Sequence, residues 1–165
     1  MAARSASCGP PYPEINPQVD AAAGVIRQTA IDRGPVTVHV LIVDDQAAFR
    51  RAAARVLARL PDFELIGESE TGEASVEAAR RLQPDLVLMD IHLPRINGPE
   101  ATRRILTDIV WAKTRPIVFL LSTYEAADYA AETLACGAAA YLPKAEFGPA
   151  ALMAAWVAAK TPGPT

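Results

Sequence analysis

Polar side chains able to take part in chemistry stand where apolar stretches of the sequence end. They are Asp44 and Asp45 after VLIV, Asp90 at the end of DLVLMD, Ser122 at the end of PIVFLLS, and Lys144 soon after AAAYL. Adjacent carboxylates repel each other, so the second of a pair is hard to ionise without a positive charge nearby. Mg²⁺ binds one or two carboxylates together with waters and phosphate oxygens, and it would offset this repulsion. The residue types therefore indicate a site for a divalent cation.

Phosphoryl transfer is a second chemistry that these side chains could support. A carboxylate can attack a phosphoryl group and form an aspartyl phosphate. Such a transfer depends on positive charge near the phosphoryl oxygens, which Mg²⁺ and Lys144 would supply. The Ser122 hydroxyl could donate a hydrogen bond to a phosphate oxygen. The ordered set of residues, rather than any one of them, carries this interpretation.

Each of these residues also has an ordinary structural explanation when it is considered alone. Asp44 and Asp45 could cap a helix and lie favourably at its positive end, although this would leave Asp90 unexplained. Lys144 could be a solvated surface lysine, and Ser122 could cap the helix that follows it. These alternatives stay open at the level of single residues.

The hydrophobic pattern predicts five strands that alternate with five helices. The strands are expected at 36–43, 63–69, 85–90, 116–122 and 138–142, and the helices at 47–60, 72–83, 99–107, 125–136 and 148–159. This alternation is typical of parallel βαβ units, and strands that are apolar on both faces indicate a sheet covered by helices on both sides. The predicted fold is therefore doubly wound α/β, with ligands bound at the carboxyl ends of the strands.

The first predicted helix has an apolar face and a basic face. The apolar face holds Phe49, Ala53, Val56, Leu57 and Leu60, and the basic face holds Arg50, Arg51, Arg55 and Arg59. Such a division is typical of a surface helix, so the arginines are expected on the face away from the core.

Composition and charge exclude several classes of protein. The chain is 51% hydrophobic and 21% charged, and its net charge of −3 gives no basic field for nucleic acid or anionic lipid. No apolar run approaches the roughly 18 residues that span a bilayer. Cys8 and Cys136 form neither a disulfide framework nor a zinc motif, and no G-x-G-x-x-G loop follows the first strand. We therefore expect a cytoplasmic protein.

Four segments, VLIVDDQAAFR, PDLVLMDIHLPRINGPEA, FLLSTY and GAAAYLPK, together resemble the receiver domain of two-component response regulators. The resemblance covers about residues 37–158 and is closest to receivers that often precede helix-turn-helix output domains. It implies a flavodoxin-like fold with a five-stranded parallel sheet of order 2-1-3-4-5 and helices on both faces.

The resemblance also implies roles for the acidic residues. Asp90 would be the phospho-acceptor, Asp45 the direct Mg²⁺ ligand, and Asp44 a ligand through water. His92, two residues after Asp90, would bind the metal through its backbone carbonyl, although it could also be an ordinary loop side chain. Gly98 is expected to meet a backbone requirement in the same loop.

Further roles are implied at the ends of the last two strands. Ser122 would be the switch hydroxyl, Lys144 the phosphate-binding lysine, and Tyr141 the aromatic that turns inward on activation. Tyr141 could equally be edge packing with its hydroxyl in water. Thr123 departs from the smaller residue that many receivers carry there, which puts access to the phosphate in doubt. The resemblance also implies that the Leu142–Pro143 peptide bond is cis, as the bond before this proline usually is in the family.

These roles imply a signalling module that acts by protein contact. A sensor histidine kinase or phosphotransfer protein would phosphorylate Asp90. The face formed by the fourth helix, fifth strand and fifth helix would then alter partner binding or homodimerisation. A second class, an aspartyl-phosphate hydrolase, needs a second acid where His92 stands. A third class, an adaptor independent of phosphorylation, would keep the fold without the chemistry.

The expected domain organisation is simple. Residues 1–35 hold five prolines and are expected to form a flexible leader, 36–160 the receiver domain, and 161–165 a tail. Because the chain ends soon after the last predicted helix, we expect no DNA-binding output domain within it. The chain is therefore either a stand-alone receiver or a piece of a longer regulator.

Overall fold

Five short strands form a parallel sheet at the centre of the fold. The computed structural model describes residues 37–108, 110–111, 114–123 and 135–161. The strands are β1 Val38–Val43, β2 Phe63–Ser69, β3 Leu86–Asp90, β4 Ile117–Ser122 and β5 Ala140–Pro143. All four neighbouring pairs are parallel, and the strand order is β2-β1-β3-β4-β5. The order and the flavodoxin-like fold that the resemblance implies are confirmed.

Helices connect the strands where the helical periodicity predicts them. They are α1 Ala47–Leu57, α2 Gly72–Leu82, α3 Gly98–Asp108 and α4 Pro149–Lys160, with a 3-10 helix at Lys144–Glu146 before α4. The predicted leader, most of the predicted tail, and nearly all of the predicted helix at 125–136 lie outside the described residues. Of the helices that the structure describes, none is both long enough and apolar enough to cross a membrane.

The three central strands β1, β3 and β4 are largely buried on both faces, which explains why they are apolar runs, whereas the edge strands β2 and β5 are more exposed. One face carries Leu41, Val43, Val87, Met89, Val118 and Leu120, together with core residues of α2 and α3. The other face carries Val40, Ile42, Leu86, Leu88, Phe119 and Leu121, together with core residues of α1 and α4. Since successive side chains of a strand point to opposite faces, only strands apolar at every position can fill both layers.

Two expectations from the sequence differ from the structure. Arg50 was expected on the basic face of α1, but it is only 8% exposed. Its guanidinium donates to the buried Asp44 carbonyl and to the partly exposed Glu68 carboxylate, which offsets the cost of removing the charge from water. The Leu142–Pro143 bond is trans, as are all the peptide bonds of the described residues. The trans form is the intrinsically preferred one for a bond before proline.

The loop between β3 and α3 folds back tightly onto the end of β3. The Gly98 N–H donates to the carbonyl oxygen of Ile91 at 2.9 Å. A Cβ at Gly98 would overlap the carbonyl oxygen of Asp90 and lie 2.9 Å from its carbonyl carbon. The backbone requirement predicted for Gly98 is therefore one of close approach.

We expect Gly98→Ala to lower the free energy of unfolding by about 1 to 3 kcal/mol, because the strand end must move to admit the methyl group. Urea denaturation measures this loss. Gly148→Ala is the control, since a Cβ there would meet only the carbonyl oxygen of Glu146 at 4.0 Å. Equal losses at the two glycines would contradict the close-approach explanation.

Candidate functional site

The polar residues predicted from strand ends lie along one edge of the sheet. Asp90 ends β3 and pairs in register with Leu121, the residue before Ser122. Ser122 in turn pairs with Pro143, which directly precedes Lys144. Asp44 follows β1, the neighbour of β3 on its other side. Parallel register thus brings residues that are distant in the sequence to one place.

Three carboxylates meet at this edge. Asp44, Asp45 and Asp90 can each offer an oxygen such that the three oxygens lie within 4.8 Å of one another. Asp44 is fully buried and Asp90 is 2% exposed, whereas Asp45 is exposed. A cleft of about 300 Å³ opens beside them, lined by Asp45, Gln46, Asp90, His92, Thr123 and Lys144. Two of the acids are therefore buried at the base of a site that solvent can reach.

Lys144 is the counter-ion of the two buried acids. Its Nζ lies 2.6 Å from Asp44 Oδ2 and 3.2 Å from Asp90 Oδ2, and its side chain is 7% exposed. A solvated surface lysine would not be buried in this way, so that alternative is wrong for Lys144. The ammonium offsets part of the repulsion between the carboxylates.

An aromatic side chain from α1 supports this lysine. The Lys144 Nζ lies 4.8 Å from the centroid of the Phe49 ring, within the range of a cation–π contact. Phe49 also packs against Phe147, with ring centroids 5.7 Å apart. Sequence reasoning assigned Phe49 to the apolar face of its helix and missed its contact with the site. No local signal could have found it, because the partner lies on a distant segment.

The electrostatic environment of Asp90 opposes its ionisation. Burial raises the pKa of Asp90 above its ordinary value, and the charge of Asp44 raises it further. The charge of Lys144 lowers this pKa, as do hydrogen bonds from Lys144 and from the His92 backbone. The balance is a raised pKa, so a further positive charge at the site would favour the ionised carboxylate.

The site has the chemical character of a magnesium site. Carboxylate oxygens are the hard ligands that Mg²⁺ prefers, and three of them are within reach of one ion. Asp44 Oδ1 accepts a hydrogen bond from the Gln46 N–H at 2.9 Å. Asp44 Oδ2 is buried and is paired with the Lys144 ammonium at 2.6 Å. The set of carboxylate oxygens and the open cleft beside them fit a hydrated cation.

The remaining predicted residues lie at different depths around the cleft. His92 and Thr123 are exposed and line it. Ser122 is fully buried at the end of β4 and does not line the cleft wall. Tyr141 is half-buried on β5, where it packs against the core shared with α2 and α3. The structure therefore brings Asp44 and Asp90 into contact with Lys144, places Asp45 beside these two acids, and buries Ser122 at the end of β4.

The raised pKa of Asp90 leads to a prediction about pH and stability in metal-free protein. The unfolded state loses its Asp90 proton at about pH 3.9, and the folded state does so only at a higher pH. The folded protein thus loses stability as the pH rises through this window, and the penalty is fully present above the raised pKa. With EDTA present, we expect Asp90→Asn to be more stable than wild type at pH 7 and to lose this advantage toward pH 4.

Thermal unfolding at a series of pH values measures this difference. Asp62→Asn is the control, because Asp62 is exposed and lies before β2, away from the carboxyl ends of the strands. An Asp90→Asn variant that is less stable than wild type at pH 7 would show that the ion pair with Lys144 outweighs burial.

Comparison with known proteins gives a consistent result. A family model described as the response regulator receiver domain matches residues 40–156. Among curated relatives, the transcriptional regulatory protein DegU of Brevibacillus brevis is 37% identical over 107 residues, which are 65% of this chain and 44% of DegU. Response regulator GacA of Pseudomonas viridiflava is 36% identical over 107 residues, which are 65% of this chain and 48% of GacA. The chain thus spans less than half the length of these curated relatives.

Solved structures agree with the sequence comparison. The response regulator domain of Thermotoga maritima CheB matches with a TM-score of 0.64 and 29% identity, over 77% of this chain and 99% of that domain. The signal receiver domain of NarL from Mycobacterium tuberculosis matches with a TM-score of 0.68 and 25% identity, over 78% of this chain and all of that domain. With the sheet order, the acidic edge and a family match over most of its length, the chain belongs to the receiver domain family of two-component response regulators.

Proposed function

We propose that this chain accepts a phosphoryl group on Asp90 in a Mg²⁺-dependent transfer from a sensor histidine kinase or a phosphotransfer protein. The observation that carries the proposal is the convergence of three carboxylates and the Lys144 ammonium at one edge of the sheet. Phosphorylation and Mg²⁺ are characteristic of the receiver family, and histidine kinases and phosphotransfer proteins are its usual kinds of partner.

The acidic residues take different parts in holding the ion. Asp45, which lines the cleft, would bind Mg²⁺ directly, and Asp44 would bind it through a water. Asp90 would contribute a carboxylate oxygen, and His92 would contribute its backbone carbonyl. When bound, the ion supplies positive charge beside the phosphoryl oxygens. The three carboxylate oxygens that lie within 4.8 Å of one another support this arrangement.

Asp90 is the nucleophile of the transfer. One of its carboxylate oxygens forms a new P–O bond while the P–N bond to the donor histidine breaks, and the bonding electron pair returns to the imidazole nitrogen. Asp90 must be ionised for this attack, and Lys144 favours the ionised form because its charge lowers the pKa of Asp90. Lys144 also stabilises the charge on the equatorial oxygens of the phosphoryl group.

The added phosphoryl charge drives the switch. It draws the Ser122 hydroxyl and the Lys144 ammonium toward the phosphate, and Tyr141 on β5 turns inward. The surface formed by the predicted helix at 125–136, β5 and α4 is then biased toward a second state. The output is altered binding of a protein partner, or homodimerisation through this surface. The net charge of −3 does not favour direct contact with nucleic acid.

The chain is an acceptor rather than a turnover enzyme under this proposal. Aspartyl-phosphate phosphatases need a second acid two residues after the nucleophile, and His92 stands at that position. Slow hydrolysis of the acyl phosphate would only return Asp90 to its starting form. Some relatives are named protein-glutamate methylesterase/protein-glutamine glutaminase, but this chain spans only 28% of the one from Idiomarina loihiensis. That activity is therefore not assigned to this chain.

Intact mass measured after incubation with acetyl phosphate and Mg²⁺ tests the proposal. We expect a single phosphoryl adduct on the wild type, none on Asp90→Asn, and none when EDTA replaces Mg²⁺. Asp45→Asn should lower the rate of adduct formation at least about tenfold, in line with the loss of a direct metal ligand.

Asp62→Asn is the matched control for this experiment, because it makes the same chemical change at an exposed acid far from the cleft. It should be phosphorylated like the wild type. If the folded wild type gains no adduct and also fails to bind BeF₃⁻, the protein does not act as a phospho-acceptor. The receiver fold would then serve as an adaptor that is independent of phosphorylation.

A further inference from the structure

Arg50 is a buried arginine next to the acidic edge. Its guanidinium has three acceptors: Nη1 donates to the Asp44 carbonyl oxygen at 2.7 Å, Nε to Glu68 Oε2 at 3.0 Å, and Nη2 to Glu70 Oε1 at 2.5 Å. Arginine is seldom buried unless its charge is paired. Here the pairing acids come from β2 and from the loop after it, while the carbonyl belongs to the loop after β1.

Other groups also hold the loop that carries the first two carboxylates, since the Asp44 N–H donates to the Ser69 carbonyl at 3.0 Å and the Asp44 carboxylate pairs with Lys144. Gln46, the first capping position of α1, makes no side-chain hydrogen bond to the helix, and the first turn of α1 holds no acid. Within the loop, the Gln46 N–H donates to Asp44 Oδ1. The backbone N–H of Arg50 donates to the Gln46 carbonyl at 3.1 Å, while its side chain binds the Asp44 carbonyl. The backbone bond is one that any residue except proline would make, so the restraint specific to Arg50 is the bond from its guanidinium to the Asp44 carbonyl.

The two acids that bind Arg50 fix the direction of its guanidinium. Glu68 and Glu70 are 41% and 67% exposed in their side chains, so they remain hydrated on their outer side. Arg50 itself is 10% exposed in its side chain, so its hydrogen bonds must be made by the protein. The planar fork of an arginine can satisfy all three acceptors at once, and a lysine ammonium has no such geometry.

We propose that Arg50 is a positioning residue of the metal site, which holds the β1–α1 loop so that Asp44 and Asp45 face a divalent cation. Glu68 and Glu70 act through it by orienting its guanidinium. The inference rests on the proposed Mg²⁺ binding, and it adds a second layer of residues to that site. Such outer residues commonly change metal affinity by about 10- to 100-fold when they are substituted.

The test compares the same charge-conserving substitution at consecutive positions of α1. Arg50→Lys keeps the positive charge but loses the fork geometry, whereas Arg51→Lys makes the identical change at an exposed residue. Mg²⁺ affinity is measured by isothermal titration calorimetry on the unphosphorylated protein. We expect Arg50→Lys to weaken Mg²⁺ binding about tenfold, and Arg51→Lys to leave it unchanged.

A second readout does not depend on the metal. The Gln46 amide is hydrogen-bonded within the loop, so its hydrogen exchange in EDTA reports on loop order. We expect this exchange to be faster in Arg50→Lys than in wild type and unchanged in Arg51→Lys. If Arg50→Lys lowers the melting temperature but alters neither Mg²⁺ affinity nor Gln46 exchange, Arg50 is merely structural and the inference is overturned.

If Arg50→Lys does not fold, a milder pair of variants decides the question. Glu70→Gln weakens an acceptor of Arg50, and Glu77→Gln removes the same charge from an exposed residue of α2 that pairs with Arg80 rather than with Arg50. Faster Gln46 exchange in Glu70→Gln alone supports the inference, and equal exchange in both contradicts it. A wild type that binds no Mg²⁺ would refute the proposed function, and the metal-free exchange would still test the role of Arg50 in the loop.

Discussion

Repulsion among three carboxylates at one edge of a parallel sheet is the constraint on which the rest of this structure depends. Two of them, Asp44 and Asp90, are almost completely removed from water, so their mutual repulsion is poorly screened. One lysine ammonium, that of Lys144, lies between them and cannot neutralise all three acids. Burial is the main cause of the raised pKa of Asp90, and the charge of Asp44 raises this pKa further. An edge of this kind is suited to take up a cation and, with it, an anionic group.

The surrounding fold keeps these charges in place at separate points. Gly98 lets the loop after β3 lie against the backbone of Asp90, where any side chain would collide with it. Two consecutive residues of α1 hold the opposite side: Phe49 packs against the Lys144 ammonium, and Arg50 binds the Asp44 carbonyl. Because both partners of the Asp44–Lys144 ion pair are supported by the same helical turn, a shift of α1 would disturb both together. These packing and hydrogen-bond contacts are therefore as necessary to the site as its charged groups.

The sequence alone was sufficient to predict the strands of the sheet and the charged residues that follow them. Apolar runs such as VLIV and LVLM identify buried parallel strands, and parallel strands place Asp44, Asp90 and Lys144 at one end without knowledge of any contact. The burial of Arg50 could not be predicted, because helical periodicity assigns it to the basic face and its acceptors lie on other segments. The contact between Phe49 and Lys144 was missed for the same reason. Periodicity describes one element at a time, and these contacts join several.

The position of Lys144 suggests how a charge on Asp90 could reach the surface. Lys144 begins the 3-10 helix that leads through Gly148 into α4, so a displacement of its backbone would pass directly to that helix. In this structure the Lys144 Nζ lies 2.6 Å from Asp44 Oδ2 and 3.2 Å from Asp90 Oδ2, so the ammonium is closer to Asp44. A phosphoryl group on Asp90 would add strong acceptor oxygens on one side of this balance and draw the ammonium away from Asp44. Under the proposed function, competition between two acids for one lysine is thus the bistable element that phosphorylation biases.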